Sequence, residues 1–169
     1  MISVIARHTG ICLILFLTLL SSESFAQIDG MLGMTWGTSR EEVKATLAAL
    51  PGTTFNPKPA DSTDVVFYGG TYGTDPISFI LASFGSKGFY SGSVVLEKIE
   101  SEAERMEQFN RIKQEITTAY GIEPTRRDKS DELLGWQWDT RYERTSVTIS
   151  RKSLKVSMTY FTIDPRFKD

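Results

Sequence analysis

Residues 145–163 read TSVTISRKSLKVSMTYFTI, and in two runs of this stretch apolar residues recur at every second position. The apolar side chains that alternate there with polar ones are those of Val147, Ile149, Leu154, Val156, Met158 and Tyr160. Successive side chains of a β-strand point to opposite faces, so this period of two predicts strands with one buried face and one solvated face. We therefore expect two antiparallel strands, over 145–151 and 154–163, in a sheet that is covered on one side.

A helix is predicted over Ser101–Tyr120, upstream of these strands. Ser101 and Glu104 have the spacing of a capping box, in which a serine side chain and a glutamate side chain satisfy the free amides at a helix start. Gly121 then suits a helix end, because glycine adopts the left-handed conformation that commonly stops a helix. The predicted buried stripe of this helix contains Met106, Phe109, Ile112, Ile116 and Tyr120.

An earlier stretch, GMTWGTSREEV at 33–43, predicts a second helix start of the same kind, with Thr38 or Ser39 as its cap and Glu41 or Glu42 as the capping glutamate. A short strand or an extended arm is predicted over 31–36, and further strands are predicted over 65–68, 77–84, 89–99 and 133–139. The run 77–84 is apolar on both alternations, which indicates a central strand covered at least partly on both sides. The predicted fold is α+β: an antiparallel sheet with two helices on one face, built as repeated α-β-β-β units.

The N-terminus has the pattern of a secretory signal peptide. Arg7 precedes an apolar run at 11–20, and the small residues Ser24 and Ala26 suit a leader-peptidase site. We expect cleavage between Ala26 and Gln27, a single domain over 27–169, and a periplasmic or secreted location. The rival interpretation is a membrane anchor, but the apolar run is about half the roughly 20 residues that a spanning helix needs.

The composition excludes several classes of function. The only histidine, His8, and the only cysteine, Cys12, both lie in the predicted leader. Residues 27–169 therefore cannot build a Ser-His-Asp or Cys-His catalytic site or a zinc site of the usual kind, and we expect no catalytic residues, no metal and no cofactor. The net charge of −2 gives no basic excess, so we expect no nucleic-acid partner.

Three aromatic residues form the candidate binding site. Trp136 and Trp138 are two residues apart and point to the same face of their predicted strand, with Tyr142 just beyond. If that face is exposed to solvent, it offers an aromatic platform for a sugar ring or a partner protein. If it is buried, the two tryptophans are the main core residues under the helix over Ser101–Tyr120.

Several motifs together resemble those of known exported proteins. The stretch at 33–43, AYGIEP at 119–124, WQW at 136–138 and KVSMTYF at 155–161 are similar to small exported bacterial domains that open with a G-x-x-x-G-x-S-x-x-E-V turn. More distantly, the helix start and the Y-G-x-x-P piece resemble β-lactamase inhibitor protein and the outer-membrane assembly lipoproteins. The chain lacks the lipid-accepting cysteine of the latter and the disulfides of the former. The resemblance implies an exported binding domain and assigns no functional residue.

These observations predict a non-enzymatic protein–protein interaction module whose partner is another envelope or secreted protein. One alternative is a small-ligand or glycan-binding protein that uses the aromatic sheet face. Another is a hydrolase that works through carboxylates alone, for which Glu97, Glu100, Glu102 and Glu104 would be the source.

Overall fold

The computed structural model describes residues 30–57, 64–127 and 133–167. The predicted leader, 1–26, and the predicted cleavage site between Ala26 and Gln27 lie outside these residues. The helices of the described ranges are α1 (Arg40–Ala48) and α2 (Glu102–Tyr120). Their strands are β1 (Gly30–Met31), β2 (Met34–Thr35), β3 (Thr53–Asn56), β4 (Val65–Gly69), β5 (Thr71–Tyr72), β6 (Asp75–Gly85), β7 (Gly88–Leu96), β8 (Thr125–Arg126), β9 (Leu133–Asp139), β10 (Glu143–Ser150) and β11 (Lys155–Thr162).

One large antiparallel sheet organises the molecule and confirms the predicted α+β class. Its strand order is β3-β4-β6-β7-β11-β10-β9-β8, with β5 beside one end of β6, while β1 and β2 form a separate hairpin. The meander that follows α1 and the meander that follows α2 meet at the centre, where β7 pairs with β11. The predicted equivalence of the two halves as repeated units stays a prediction.

Both helices pack on the same face of this sheet. A row of directly paired, fully buried side chains crosses five strands on that face: Phe67, Ile80, Val94, Met158 and Val147. The row belongs to one core cluster that also contains Val43 and Leu47 of α1 and Phe109 and Ile112 of α2. The alternation at 145–163 therefore predicted the covered face correctly.

The predicted boundaries of α2 are confirmed. The Ser101 side chain accepts a hydrogen bond from the Glu104 amide (3.4 Å), which satisfies a free donor at the helix start. At the other end Gly121 adopts φ 66°, and its N–H donates to the carbonyl of Thr117 (2.9 Å). Four of the five predicted stripe residues are buried, and Met106 packs partly buried against the core.

The stretch at 33–43 is a structural junction, as its capping motif predicted. The Ser39 side chain caps α1 by accepting a hydrogen bond from the Glu42 amide. The Glu42 carboxylate accepts one from the Ser39 amide (3.2 Å), which completes a capping box. Ahead of the cap, the Trp36 ring stacks on Phe89 with 5.1 Å between centroids, and its indole N–H donates to the buried Glu143 carboxylate. These contacts fasten the N-terminal hairpin to β7 and β10.

The predicted count of three strands after each helix was wrong, because the first meander also contains β3 and the two-residue β5, and the second also contains β8. Of these strands, β3 begins the first meander and β8 begins the second. Both lie at edges of the sheet, and most of their side chains are exposed. An edge strand buries little surface and needs no apolar alternation, so neither sequence showed the signal that identifies a strand.

Buried tyrosines make the fold sensitive to alkaline pH. Burial raises the pKa of Tyr120 from 10.0 to about 12, against the lowering effect of its hydrogen bond with Thr145. Between these values the unfolded chain has lost the phenol proton that the folded chain keeps, so the free energy of unfolding falls as pH rises from 10.0 to about 12. We expect Tyr120→Phe to make that slope shallower by up to about 1.4 kcal/mol per pH unit.

Urea titrations across this pH range would measure the slope. Tyr68→Phe, which removes a phenol on a side chain that is 49% exposed, is the control and should leave the slope of the unmodified protein unchanged. A Tyr120→Phe slope equal to that of the control would show that this phenol does not cause the alkaline loss of stability.

Candidate interaction surface

The three aromatic residues that the sequence offered as a candidate site do not form one exposed platform. Trp138 is 1% exposed and lies under α2, where its indole N–H donates to the hydroxyl of Thr117 (3.3 Å). Trp136 is on the same face of β9, half-buried, with the ammonium of Lys113 3.8 Å from its ring centroid. The structure therefore corrects the platform hypothesis and supports the alternative in which the two tryptophans belong to the core layer under α2.

Tyr142 has a different environment from the two tryptophans. It lies in the turn between β9 and β10, half-buried, with the guanidinium of Arg141 4.9 Å and that of Arg166 5.9 Å from its ring centroid. Its carbonyl accepts a hydrogen bond from the amide of Ile163 (2.6 Å). Tyr142 thus joins the turn to the C-terminal segment, and its ring faces arginines.

The face of the sheet opposite the helices, which we call the open face, carries the clearest candidate surface. No helix of the described ranges covers it. At its β4-β6-β7 end, apolar and aromatic residues pair across the strands, Val66 with Leu81 and Tyr68 with Phe79, and Phe79 pairs onward with Val95. Tyr68 is 49% exposed, and the other four side chains are half-buried. We call these five residues the apolar patch.

The apolar patch explains the double alternation of the run at 77–84. Ile80 and Ala82 point into the core, whereas Phe79 and Leu81 point to the open face. The sequence correctly showed apolar residues on both sides of this strand; within the described ranges the helices cover only one side, and Phe79 and Leu81 on the other side are half-buried. Large apolar side chains on an uncovered sheet face are typical of an interaction surface.

The middle of the open face is polar and internally satisfied. The hydroxyls of Ser93 and Thr159 share a hydrogen bond of 3.0 Å, and those of Thr148 and Ser157 share one of 2.8 Å. Each pair bridges neighbouring strands, so these side chains lie on the sheet in a fixed arrangement. The centre of the open face therefore presents hydroxyl groups that are hydrogen-bonded to one another.

Two depressions lie on the open face, towards the end that contains the β6–β7 hairpin and the β9–β10 turn. The larger, of about 450 Å³, is a mainly apolar groove lined by Phe84, Gly85, Tyr90, Phe161, Thr162, Ile163 and Phe167. The smaller, of about 250 Å³, is a polar cleft lined by Arg127, Gly135, Trp136, Gln137, Arg144, Ser146, Thr148, Thr159 and Phe161. Phe161 lines both, so the two depressions share a wall.

Electrostatics at this end are dominated by arginine–aspartate pairs. Burial raises the pKa of Asp139, but hydrogen bonds from Arg144 and Gln137 outweigh that effect and hold the pKa below its usual value. Hydrogen bonds from Arg166 likewise lower the pKa of Asp164. Both carboxylates are therefore ionised at neutral pH, and neither resembles a general acid, which needs a raised pKa.

The four glutamates considered for carboxylate catalysis are all exposed. Glu100 forms an ion pair with Lys98 (2.7 Å), and this contact lowers the pKa of Glu100. Within the described ranges, no group of three or more histidine, cysteine, aspartate or glutamate side chains could hold a metal ion. Over the same residues, neither helix combines the length and the hydropathy needed to cross a membrane.

Comparisons with known proteins found no matching family model, no matching curated protein and no matching solved structure. The resemblance to small exported domains, to β-lactamase inhibitor protein and to the assembly lipoproteins therefore stays a prediction from the sequence motifs.

Proposed function

We propose that this protein is an exported, non-enzymatic interaction module that binds another envelope or secreted protein through its open face. The apolar patch is the observation that carries the proposal. Its five side chains are contiguous by strand pairing, and Tyr68 and Phe79 add aromatic area that can be buried at low entropic cost.

The sequence supports the same proposal from two directions. The N-terminal pattern predicts export to the periplasm or the outside of the cell, and residues 27–169 contain neither histidine nor cysteine. The glycan-binding alternative depended on exposed Trp136 and Trp138, and the burial of Trp138 removes its main support. A protein partner fits the apolar patch better than a small ligand does, because the patch lies on an open sheet face and small ligands favour deep, enclosed sites.

Site-specific photo-crosslinking in cells that produce the protein at its native level would test the proposal. A benzophenone amino acid at position 68 reports on the open face, and the same amino acid at position 114 is the matched control, because Gln114 is exposed on α2. We expect one discrete protein adduct from position 68 and none from position 114. Adducts of equal yield from both positions, or none from position 68, would contradict the proposal.

A further inference from the structure

A cluster of arginine and aromatic side chains adjoins the two depressions of the open face. It forms where the β9–β10 turn, the end of β11 and the C-terminal segment meet. We call this cluster the arginine corner: Arg141, Tyr142, Arg144, Phe161, Arg166 and Phe167.

Each arginine of the corner lies over an aromatic ring. The guanidinium carbon is 4.9 Å from the Tyr142 centroid for Arg141, and 5.4 Å from the Phe161 centroid for Arg144. That of Arg166 is 5.9 Å from the Tyr142 centroid and 5.6 Å from the Phe167 centroid. Ring contact restricts these long side chains, while a guanidinium has five N–H donors, more than one carboxylate uses.

The corner presents arginines to solvent on a chain whose net charge is negative. Three carboxylates lie near its three arginines: Asp139 pairs with Arg144, Asp164 pairs with Arg166, and Glu143 is buried between Tyr142 and Arg144 in the sequence. The Arg166 side chain is 73% exposed, whereas that of Asp164 is 4% exposed, so this pair presents its cationic partner to solvent. Arg141 is also exposed. Two of the three carboxylates are buried while the arginines reach solvent, so the exposed charge of the corner is mainly positive and complementary to a carboxylate.

The apolar groove of about 450 Å³ adjoins these charges, because Phe161 and Phe167 belong both to its lining and to the corner. Beyond Arg144 lies the polar cleft of about 250 Å³. A small anion would satisfy the arginines and leave the groove empty. A neutral apolar segment would fill the groove but form no ion pair with the arginines. An occupant that carries both an apolar side chain and a negative charge fits the whole surface.

We propose that the arginine corner binds an acidic polypeptide segment, in which an aromatic or aliphatic side chain enters the groove and a nearby aspartate or glutamate lies against Arg141, Arg144 or Arg166. The segment runs across β11 and β10 towards the polar cleft. This inference rests on the proposed function, since it names the chemistry of the protein partner. Charge at the rim of such a site increases the association rate and makes the affinity dependent on salt.

Selection of random dodecapeptides displayed on phage against the purified protein, expressed from the full 169-residue chain, would test this inference. We expect enrichment of peptides that combine an aromatic or large aliphatic residue with aspartate or glutamate. The best synthetic peptide should lose affinity when its acidic residues become amides, and also when ionic strength rises. No enrichment, or an enriched motif without acidic residues, would overturn the proposal.

Variants of the protein then locate the site. We expect Arg141→Gln to weaken the peptide about threefold and Arg144→Gln with Arg166→Gln to weaken it about tenfold, measured by fluorescence anisotropy. Lys44→Gln removes the same charge from α1 and should leave the affinity unchanged. Arg141→Gln breaks no ion pair seen among the described residues, so it keeps the test valid if the double variant is unstable.

The competing occupants are separate outcomes. Complete displacement of the peptide by inorganic phosphate at constant ionic strength would show a plain anion site, and binding of anionic lipid vesicles in place of peptide would show a membrane-surface site; either result overturns the inference. Adduct formation from position 68 is measured independently. If it persists while the peptide result fails, the interaction module stands and only the acidic-segment assignment is wrong.

Discussion

Trp138→Ala is expected to lower the free energy of unfolding by about 3–5 kcal/mol, the range for truncating a large buried aromatic residue. Trp138 is 1% exposed and is the largest of the fully buried side chains. It fills the space between β9 and α2, and its truncation also removes the hydrogen bond to Thr117. Urea denaturation followed by circular dichroism would measure the loss.

Trp136→Ala is the matched control, because it removes the same side chain from the same face of the same strand. Trp136 is half-buried and has Lys113 over its ring, so we expect a cost of about 1–2 kcal/mol from lost apolar burial and cation–π attraction. If both variants lose the same free energy of unfolding, or if Trp138→Ala loses less than about 1 kcal/mol, Trp138 is not a core residue and becomes a candidate binding residue again.

The elements that the sequence predicted well are those with a strong local signal. The boundaries of α2 follow from Ser101 and Gly121, two residues whose effects act within one turn of helix. The closing hairpin follows from an alternation that continues through two adjacent strands. In these segments the local preference and the packed structure agree, which is why single-sequence reasoning succeeds there.

The candidate surface was less predictable because it depends on contacts between distant segments. The apolar patch forms only because β4 pairs with β6, and the sequence does not show that pairing. The apolar pattern of β6 also does not indicate which of its two faces the helices cover. The arginine corner needed the contact of Tyr142 with Arg166, which lies in a C-terminal segment with no periodic pattern. The sequence predicts Tyr142 to lie beside the two tryptophans, whereas its ring contacts Arg141 and Arg166.

Gly88→Ala is expected to lower the free energy of unfolding by about 2–5 kcal/mol, from backbone strain of about 1–2 kcal/mol and overpacking of about 1–3 kcal/mol. Gly88 has φ +98°, and a Cβ added there would lie 2.3 Å from the carbonyl oxygen of Gly37. That carbonyl cannot move freely, because Gly37 donates its N–H to Phe89 (2.8 Å) and Phe89 donates to Thr38 (2.9 Å).

Gly73→Ala separates the steric effect from the conformational one. Gly73 also has positive φ (+58°), but an added Cβ would meet nothing within 4 Å, so this variant should cost only the strain of about 1–2 kcal/mol. Urea titrations of both variants give the comparison. Equal costs would mean that the 37–38 segment yields, whereas a larger cost for Gly88→Ala would show that the junction between the N-terminal hairpin and α1 is held rigidly against β7.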